Sequence, residues 1–387
     1  MNSRNEVHNV SLINKEDCCG CSACFVSCKS GAIKMIPDYE GFLYPDIEQD
    51  LCTNCGLCLK VCKLKYTYEE TQKIFSCWSK DDKLRYKSSS GGAFTALSRL
   101  FIEKLNGVVC GVGYNENKDE VIHKFAHNEK ELEDLRRSKF VQSNKNEVYR
   151  EVRDYLTQDK YVLFTGTPCE VGGLRQFLRK DYQKLITCDL ICGCVSSPEV
   201  YLKYILEIQD KYNSKVTFVN FKDKRKGWRG KGISILFENG EEYYNSILDD
   251  DYVVSFHSRY NIRPSCFKCK YRALNRGADI TLGDFWAIEK YNPAFDDNKG
   301  TSFVMTNTRK GEEMVLMMPD MEVHELNIDV EEYSTKFNWC MHKNPDAPDV
   351  LKRKLFYDDL KSMPFDKVSE KHLNQIKEER KQRKLNL

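Results

Sequence analysis

Apolar and polar positions along this chain follow two periods, and each period marks a different region. Ala32–Ile36 and Gly41–Tyr44 are short alternating pieces that suit the arms of a hairpin. Ile74–Trp78 reads as a strand. From Ala93 to about Leu105 the apolar residues Phe94, Leu97, Leu100, Phe101 and Leu105 recur at helical spacing. Gly107–Tyr114 returns as a strand, and Glu129–Arg137 and Glu147–Leu156 read as helices. Tyr161–Phe164 is a buried strand that runs into Thr165-Gly166-Thr167-Pro168-Cys169, followed by a helix over roughly Val171–Arg179. Leu185–Ile191 is another strand. Pro198 opens a long helix toward Tyr212, with proline at a favoured first-turn position. This alternation predicts an α/β domain with a largely parallel sheet. After Lys215 the pattern turns β-rich: Val216–Phe221, Ile233–Phe237 and Ile280–Leu282, with a final strand at Ser302–Thr306 before a helix. Asp329–Leu387 reads as helical and charged, and its basic run Lys377–Lys384 as a solvated helix rather than a docking tail.

Composition narrows the class. At 387 residues the chain is long enough for two or three domains. The boundaries expected are 8–66, 74–155, 156–330 and 331–387, with the polar stretch Thr67–Lys73 as a linker. A net charge of +2 gives no global drive toward nucleic acid or an anionic membrane. The polar, charged first 17 residues lack a signal-peptide pattern, and no apolar run approaches the length that spans a bilayer. With 18 cysteines and no export signal, the expected home is the reducing, metal-loading cytoplasm.

Half of the chemistry lies in two cysteine runs, Cys18-x2-Cys21-x2-Cys24-x3-Cys28 and Cys52-x2-Cys55-x2-Cys58-x3-Cys62. In this bacterial ferredoxin spacing, three thiolates of each run hold one iron–sulfur cube and the fourth crosses to the other. Cys18, Cys21, Cys24 and Cys62 are thus expected to hold one 4Fe-4S cluster, and Cys52, Cys55, Cys58 and Cys28 the second. Lysine (Lys29, Lys63) follows each fourth cysteine where proline is common, which removes no ligand. Cys19 is a spare thiol. Zinc knuckles also use CxxC pairs but do not need four cysteines per run, and a disulfide framework would need a secreted chain.

A second set lies downstream. Cys169 and Cys192 each end a strand, and the carboxyl ends of neighbouring parallel strands converge on one crevice. Cys266 and Cys269 form a CxxC that can close over them, so a third 4Fe-4S site is plausible there. A buried structural thiol, or a small zinc or redox CxxC, is the plainer alternative. Cys188 and Cys194 rival Cys192, while Cys77, Cys110 and Cys340 read as core residues. Ser88–Gly92, with Ser89, Ser90, Gly91 and Gly92, is a small-residue loop at a helix N-terminus that suits an anionic pyrophosphate. Gly166, Thr167 and Pro168 form a second such loop. A plain turn and cap is the alternative for both. A flavin would join one-electron cubes to two-electron metabolites.

The order of blocks is specific: KSSSGGAFTAL from Lys87, RRSKFVQS from Arg136, LFTGTPCEVGGLR from Leu163, CDLICGCVSSPEVY from Cys188, CFKCKYR from Cys266 and ADITLGDFW from Ala278. Over roughly residues 8–330 the chain resembles the beta-subunit family of coenzyme F-420-reducing hydrogenase and formate dehydrogenase, which includes 7-hydroxymethyl chlorophyll a reductase. The extra thiol Cys194 departs from the family pattern, as do the last 55 or so residues. The resemblance implies an FAD-binding iron–sulfur oxidoreductase. Residues 74–155 and 156–330 would be the two parts of its beta-subunit-like domain, an α/β flavin-binding unit with a β-rich extension behind the two-cluster ferredoxin domain. It further implies a flavin near the SSSGG loop, Ser138-Lys139-Phe140 and the GTPC loop, and Cys169, Cys192, Cys266 and Cys269 as ligands of the third cluster. Asp279 and Asp284 are read as site-shaping and Trp286 as a flavin wall or a core residue. Lys139 and Asp284 are the candidates for proton handling. The expected partners are a one-electron donor or acceptor protein and a small two-electron substrate, a deazaflavin or another metabolite. A non-catalytic electron-transfer subunit and a redox-sensing binding protein are the competing classes. The family does not fix the substrate, and the sequence does not give the oligomeric state.

Overall fold

A computed structural model of the chain describes residues 8–62 and 72–385, with side chains through 382. Lys63 and most of the expected linker, residues 67–71, lie outside the described residues. The N-terminal unit comprises α1 (Ala23–Ser27), β1 (Ile33–Pro37), β2 (Leu43–Ile47) and α2 (Leu57–Val61). The predicted hairpin is present: β1 and β2 pair antiparallel with Ile33 opposite Ile47. Asp38 closes its turn by accepting the amides of Glu40 and Phe42. In both cysteine runs the third cysteine (Cys24, Cys58) lies in the short helix and the fourth (Cys28, Cys62) caps its end. Each helix is entered through a left-handed residue, Ser22 or Gly56, which turns the chain around the thiols.

The remainder begins with β3 (Lys73–Ser79), α3 (Asp82–Lys87), α4 (Ala93–Arg99), β4 (Val108–Tyr114), β5 (Val121–Ala126), α5 (Glu129–Leu135) and α6 (Val148–Thr157). It continues through β6 (Val162–Gly166), α7 (Pro168–Leu178), β7 (Leu185–Leu190), α8 (Pro198–Tyr212), β8 (Val216–Asp223), β9 (Gly232–Phe237), β10 (Glu242–Ser246) and α9 (Asp251–Ser258). It closes with β11 (Ile280–Asp284), β12 (Ser302–Thr306), α10 (Arg309–Leu316), β13 (Met321–Leu326), α11 (Val330–Phe337), α12 (Val350–Ser362) and α13 (Phe365–Leu385).

One eight-stranded sheet has the order β13-β3-β12-β11-β7-β6-β4-β5, and a three-stranded antiparallel sheet has the order β10-β9-β8. The large sheet corrects the expectation of a largely parallel one. Only β11, β7, β6 and β4 run parallel; β12, β3, β13 and β5 add antiparallel flanks. Ser302–Thr306 is not the last strand, because β13 follows it and pairs with β3. The short edge strands β5, β10 and β13 carry polar residues at half-buried positions, so their apolar signal was weak. The helix predicted to Leu105 is α-helical only to Arg99, and Leu100–Lys104 opens into a π turn.

The basic C-terminal run is also not simply solvated. Lys377 pairs with Asp251 and Lys381 with Asp249 (2.8 Å), which lays α13 along α9, where Val368 and Leu373 are buried. Among the described residues no helix is long and apolar enough to cross a membrane.

The N-terminal unit sits on α6 and α7, where Val26 and Val61 share a core with Tyr149, Val152 and Leu174. Two adjacent glycines of α7 permit this approach. A Cβ on Gly173 would lie 2.8 Å from Cys21 Cβ and 3.0 Å from its sulfur, and one on Gly172 would lie 2.3 Å from the Tyr271 ring. A Gly173→Val variant should therefore displace Cys21 and lose iron from the N-terminal unit. Iron and acid-labile sulfide per chain measure this, and wild-type stoichiometry would show that the contact is not needed.

Candidate functional site

The N-terminal thiols gather in one small region. Cys24 lies within electrostatic reach of Cys18, Cys62 and Cys58, and Cys55 within reach of Cys28. Burial pushes the Cys24 thiol well up, and Cys62 up to about 11. The second set is wetter. Cys55 is exposed, and the Leu57 amide pulls its thiol below the ordinary value. Among the described residues no three His, Cys, Asp or Glu side chains are drawn close enough to ligate one ion. A cube is larger and gives each thiolate its own iron.

The downstream thiols meet in one cleft. Cys169 stands in the first turn of α7, at the carboxyl end of β6. Cys192 follows β7, and Cys266 and Cys269 come from the turn after α9. All four line the same cleft. Cys192 is within electrostatic reach of the other three, and burial pushes its thiol well above the ordinary value. Burial raises Cys269 to about 11. Three further cysteines also line the cleft. Cys19, the spare thiol of the first run, hydrogen-bonds Cys169; Cys194 hydrogen-bonds Cys266; and Cys340 sits against Gly193. Cys340 is thus not the core residue expected, whereas Cys77 and Cys110 are fully buried. Cys188 is buried within β7, with its thiol toward the Asp189 carbonyl. The cleft is cationic: Arg263, Arg272 and Arg276 line it, and Arg272 donates to the Cys192 carbonyl (3.0 Å). Buried thiolates would repel one another unless a cationic core joined them, and this donor set fits an iron–sulfur cube.

The Gly166-Thr167-Pro168 loop belongs to this cleft. Pro168 lines it, and the Thr167 hydroxyl lies 3.1 Å from Cys169 Sγ. The Thr167 amide donates to Glu170 Oε2 (2.8 Å) in a capping box, so the helix supplies its own anion there. Glu170 is buried with Lys145 (3.1 Å), Ser143 (2.9 Å) and His123 (3.9 Å). A Cβ at Gly166 would lie 2.9 Å from Glu170 Oε2, so a side chain there would press on this carboxylate.

The SSSGG loop lies in a separate network. Ser89 Oγ accepts the Ser138 amide (3.0 Å), joining two of the expected flavin blocks. Ser90 Oγ donates to the Thr301 carbonyl (2.8 Å), and the Gly91 amide donates to Ser302 Oγ (3.0 Å). Gly92, with φ 100, turns the chain into α4. The buried Lys224 ammonium donates to the carbonyls of Arg85, Ser90 and Lys299. Burial, with Arg85 nearby, lowers its pKa to about 7.

Asp284 accepts Lys222 (2.8 Å), Lys231 (3.0 Å) and the Trp228 indole (3.4 Å). Burial pushes this carboxyl up, but the two ammonium groups outweigh it and hold it well below the usual range. Burial lowers Lys231 to about 8. Trp286 stacks on Trp228 at 4.9 Å, and Lys231 Nζ lies 4.4 Å from the Trp286 ring centre. Asp279 lies at the far end of β11 from Asp284. It is buried under Thr187, Thr308 and Arg175, a structural position rather than a site-shaping one. Lys139 donates to the Asp134 and Arg136 carbonyls, and burial lowers it to about 7.

Sequence reasoning did not single out Lys222, Lys224, Trp228 and Lys231, although the basic, aromatic run from Lys222 to Lys231 was a usable signal. Residues 138–143 join the two sites. Ser138 meets Ser89 at one end, and Gln142 meets Cys19 and Arg263 at the other. Four residues of extended chain span roughly 14 Å at most.

Residues 17–65 match the family model of the 4Fe-4S dicluster domain, and residues 159–331 match that of the C terminus of the coenzyme F420 hydrogenase/dehydrogenase beta subunit. The F subunit of the F(420)H(2) dehydrogenase of Methanosarcina mazei is 21% identical over 299 residues, covering 73% of this chain and 80% of the relative. Among solved structures, a chain of the F420-reducing [NiFe] hydrogenase complex from Methanosarcina barkeri is 18% identical. That match covers 72% of this chain and 90% of that one, with a TM-score of 0.46.

The buried charge cluster under the GTPC loop makes stability depend on pH. Burial lowers the His123 pKa from 6.5 to about 4, so the unfolded chain binds the extra proton first as pH falls. Stability should fall between about pH 6.5 and 4 by on the order of 1–3 kcal/mol. A His123→Gln variant should lack that component in denaturant melts; an identical pH profile would contradict the assignment.

Proposed function

We propose that this chain is an iron–sulfur flavoprotein that relays electrons between a one-electron partner protein and a two-electron substrate. The observation that carries the reading is the convergence of Cys169, Cys192, Cys266 and Cys269 on one cationic cleft that also receives Cys19 of the ferredoxin unit. Iron–sulfur cubes supply one-electron steps, and FAD would couple them to a hydride exchange. The thiols of residues 18–62 would hold two cubes, and the cleft thiols a third.

Ser89, Ser90 and the Lys222–Lys231 segment fit an anionic dinucleotide. There Lys222 and Lys231 share Asp284, Arg85 pairs with Asp297, Lys224 donates to carbonyls alone among the described residues, and the stacked Trp228 and Trp286 offer an aromatic wall. The segment 138–143 would hold these groups within a short span of the thiol cleft. Lys139 and Asp284, the residues expected to handle protons, are each engaged with internal partners, so they position the site more than they move protons. That engagement favours one second reading, a non-catalytic subunit that passes electrons within a larger complex. The name of the Methanosarcina mazei relative, one component of an F(420)H(2) dehydrogenase, supports either reading and makes a deazaflavin the first substrate to try.

Anaerobic purification separates these readings. The flavoprotein should carry about twelve irons and one FAD, and the flavin should bleach with a reduced deazaflavin. Iron without flavin would favour the relay role. Cys266→Ser should reduce iron to about eight while the ferredoxin cubes remain. Lys224→Met should weaken flavin binding roughly tenfold or more with iron unchanged. Wild-type iron in the first variant or wild-type flavin affinity in the second would reject the corresponding assignment.

A further inference from the structure

We propose that Arg263 sets the order in which the two cubes of the ferredoxin unit are reduced, favouring electron residence at the Cys18, Cys21, Cys24 and Cys62 set over the Cys28, Cys52, Cys55 and Cys58 set. The inference rests on the iron–sulfur reading above and adds a direction to it. Arg263 is fully buried at the seam between the ferredoxin unit and the sheet domain. Its Nε donates to the Cys18 carbonyl (2.9 Å), and its Nη2 to Cys18 Sγ (3.7 Å) and the Leu43 carbonyl (3.0 Å). Its Nη1 donates to Gln142 Oε1 (2.8 Å), and the guanidinium lies 4.1 Å from the Tyr44 ring centre. Among the described residues none of these partners is a carboxylate. A buried, unpaired cation is costly, and it is retained here directly against a cluster-ligand sulfur. The chain also makes room for it: a Cβ on Gly20, between Cys19 and Cys21, would lie 2.9 Å from the guanidinium carbon.

The other thiol set receives no comparable charge among the described residues. Asn9 Nδ2 donates to Cys52 Sγ (3.7 Å), and the Ser30 hydroxyl lies 3.5 Å from Cys28 Sγ. Both groups are neutral, and Cys55 is open to solvent. Reduction adds one negative charge to a cube. Burial alone would make the inner, drier site the harder one to reduce. A fixed cation hydrogen-bonded to a ligand sulfur stabilises the added charge and raises the potential. One electron from a reduced one-electron carrier protein enters at the exposed set and leaves it oxidised again on passing inward. The inner set gains that electron, and no proton or bond is exchanged. The inner set is also the one that reaches the downstream cleft, through Cys21, Cys19 and Cys169.

The test is a redox titration of the intact anaerobic protein, followed by EPR, for wild type, Arg263→Lys and Arg263→Gln. Arg263→Gln should shift the electron distribution between the two cubes at least tenfold toward the outer one, about 59 mV for a one-electron couple. Arg263→Lys should shift it less, and iron content should hold. Unchanged potentials, or equal movement of both cubes, would overturn the proposal. If the glutamine variant does not fold, half-reduced wild-type protein decides. Hyperfine-shifted cysteine β-proton resonances should show reduction first at Cys18 and Cys24; first appearance at Cys52 and Cys55 would overturn the proposal. Absence of iron and labile sulfide altogether would instead overturn the underlying iron–sulfur reading, and this inference with it.

Discussion

How closely helix α7 can approach the ferredoxin unit governs the rest of this structure. The helix starts at the carboxyl end of a central parallel strand, so its first turn delivers Cys169 to the crevice of the sheet. One turn later Gly172 and Gly173 lower its surface on two sides. Tyr271, just past the CxxC, fits against one glycine, and Cys21 of the ferredoxin unit fits against the other. Side chains at either glycine would force the two thiol groups apart. A single helix thus holds two groups of thiols in register, and the backbone at those positions matters more than any side chain.

Electrostatics explains what fills the seam. Thiols that are buried together resist ionisation, and the raised values at Cys24, Cys192 and Cys269 express that cost. The surrounding guanidinium groups of Arg263 and Arg272 resist burial for the opposite reason, while Arg276 is paired with buried Asp189 (3.2 Å). Thiolates and guanidinium groups are each expensive alone, and together they match a cationic iron–sulfide core whose thiolate ligands make the whole cluster anionic. The Lys222, Lys224 and Lys231 group repeats the logic beside the SSSGG loop. There Asp284 neutralises part of the charge, and the remainder suits a phosphate-bearing ligand.

Much of this was legible in the chain. The ferredoxin spacing pointed to the dicluster domain that residues 17–65 match, because cube geometry dictates that spacing. The central strands β6 and β7 were readable as uninterrupted apolar runs, and their ends correctly led to Cys169 and Cys192. The edge strands β5 and β13 were not, since half-buried polar positions erase the period that would reveal them. Cys194 was visible as a rival of Cys192, two residues before it, but Cys19 and Cys340 were hidden. Both lie far in sequence from the other cleft thiols, and only the docking of the ferredoxin unit and of the segment after α11 brings them there. Arg263 had no local signature at all, because its partners come from Cys18, Leu43 and Gln142.

The account stands on one spatial claim: three sulfur-lined iron sites in a row, the last between α7, the end of β7 and the CxxC turn. An anomalous difference map at the iron absorption edge, from crystals grown without oxygen, tests it most directly. The account predicts three peaks, two within residues 18–62 and one among Cys169, Cys192, Cys266 and Cys269. Two peaks confined to the ferredoxin unit, or none, would contradict it.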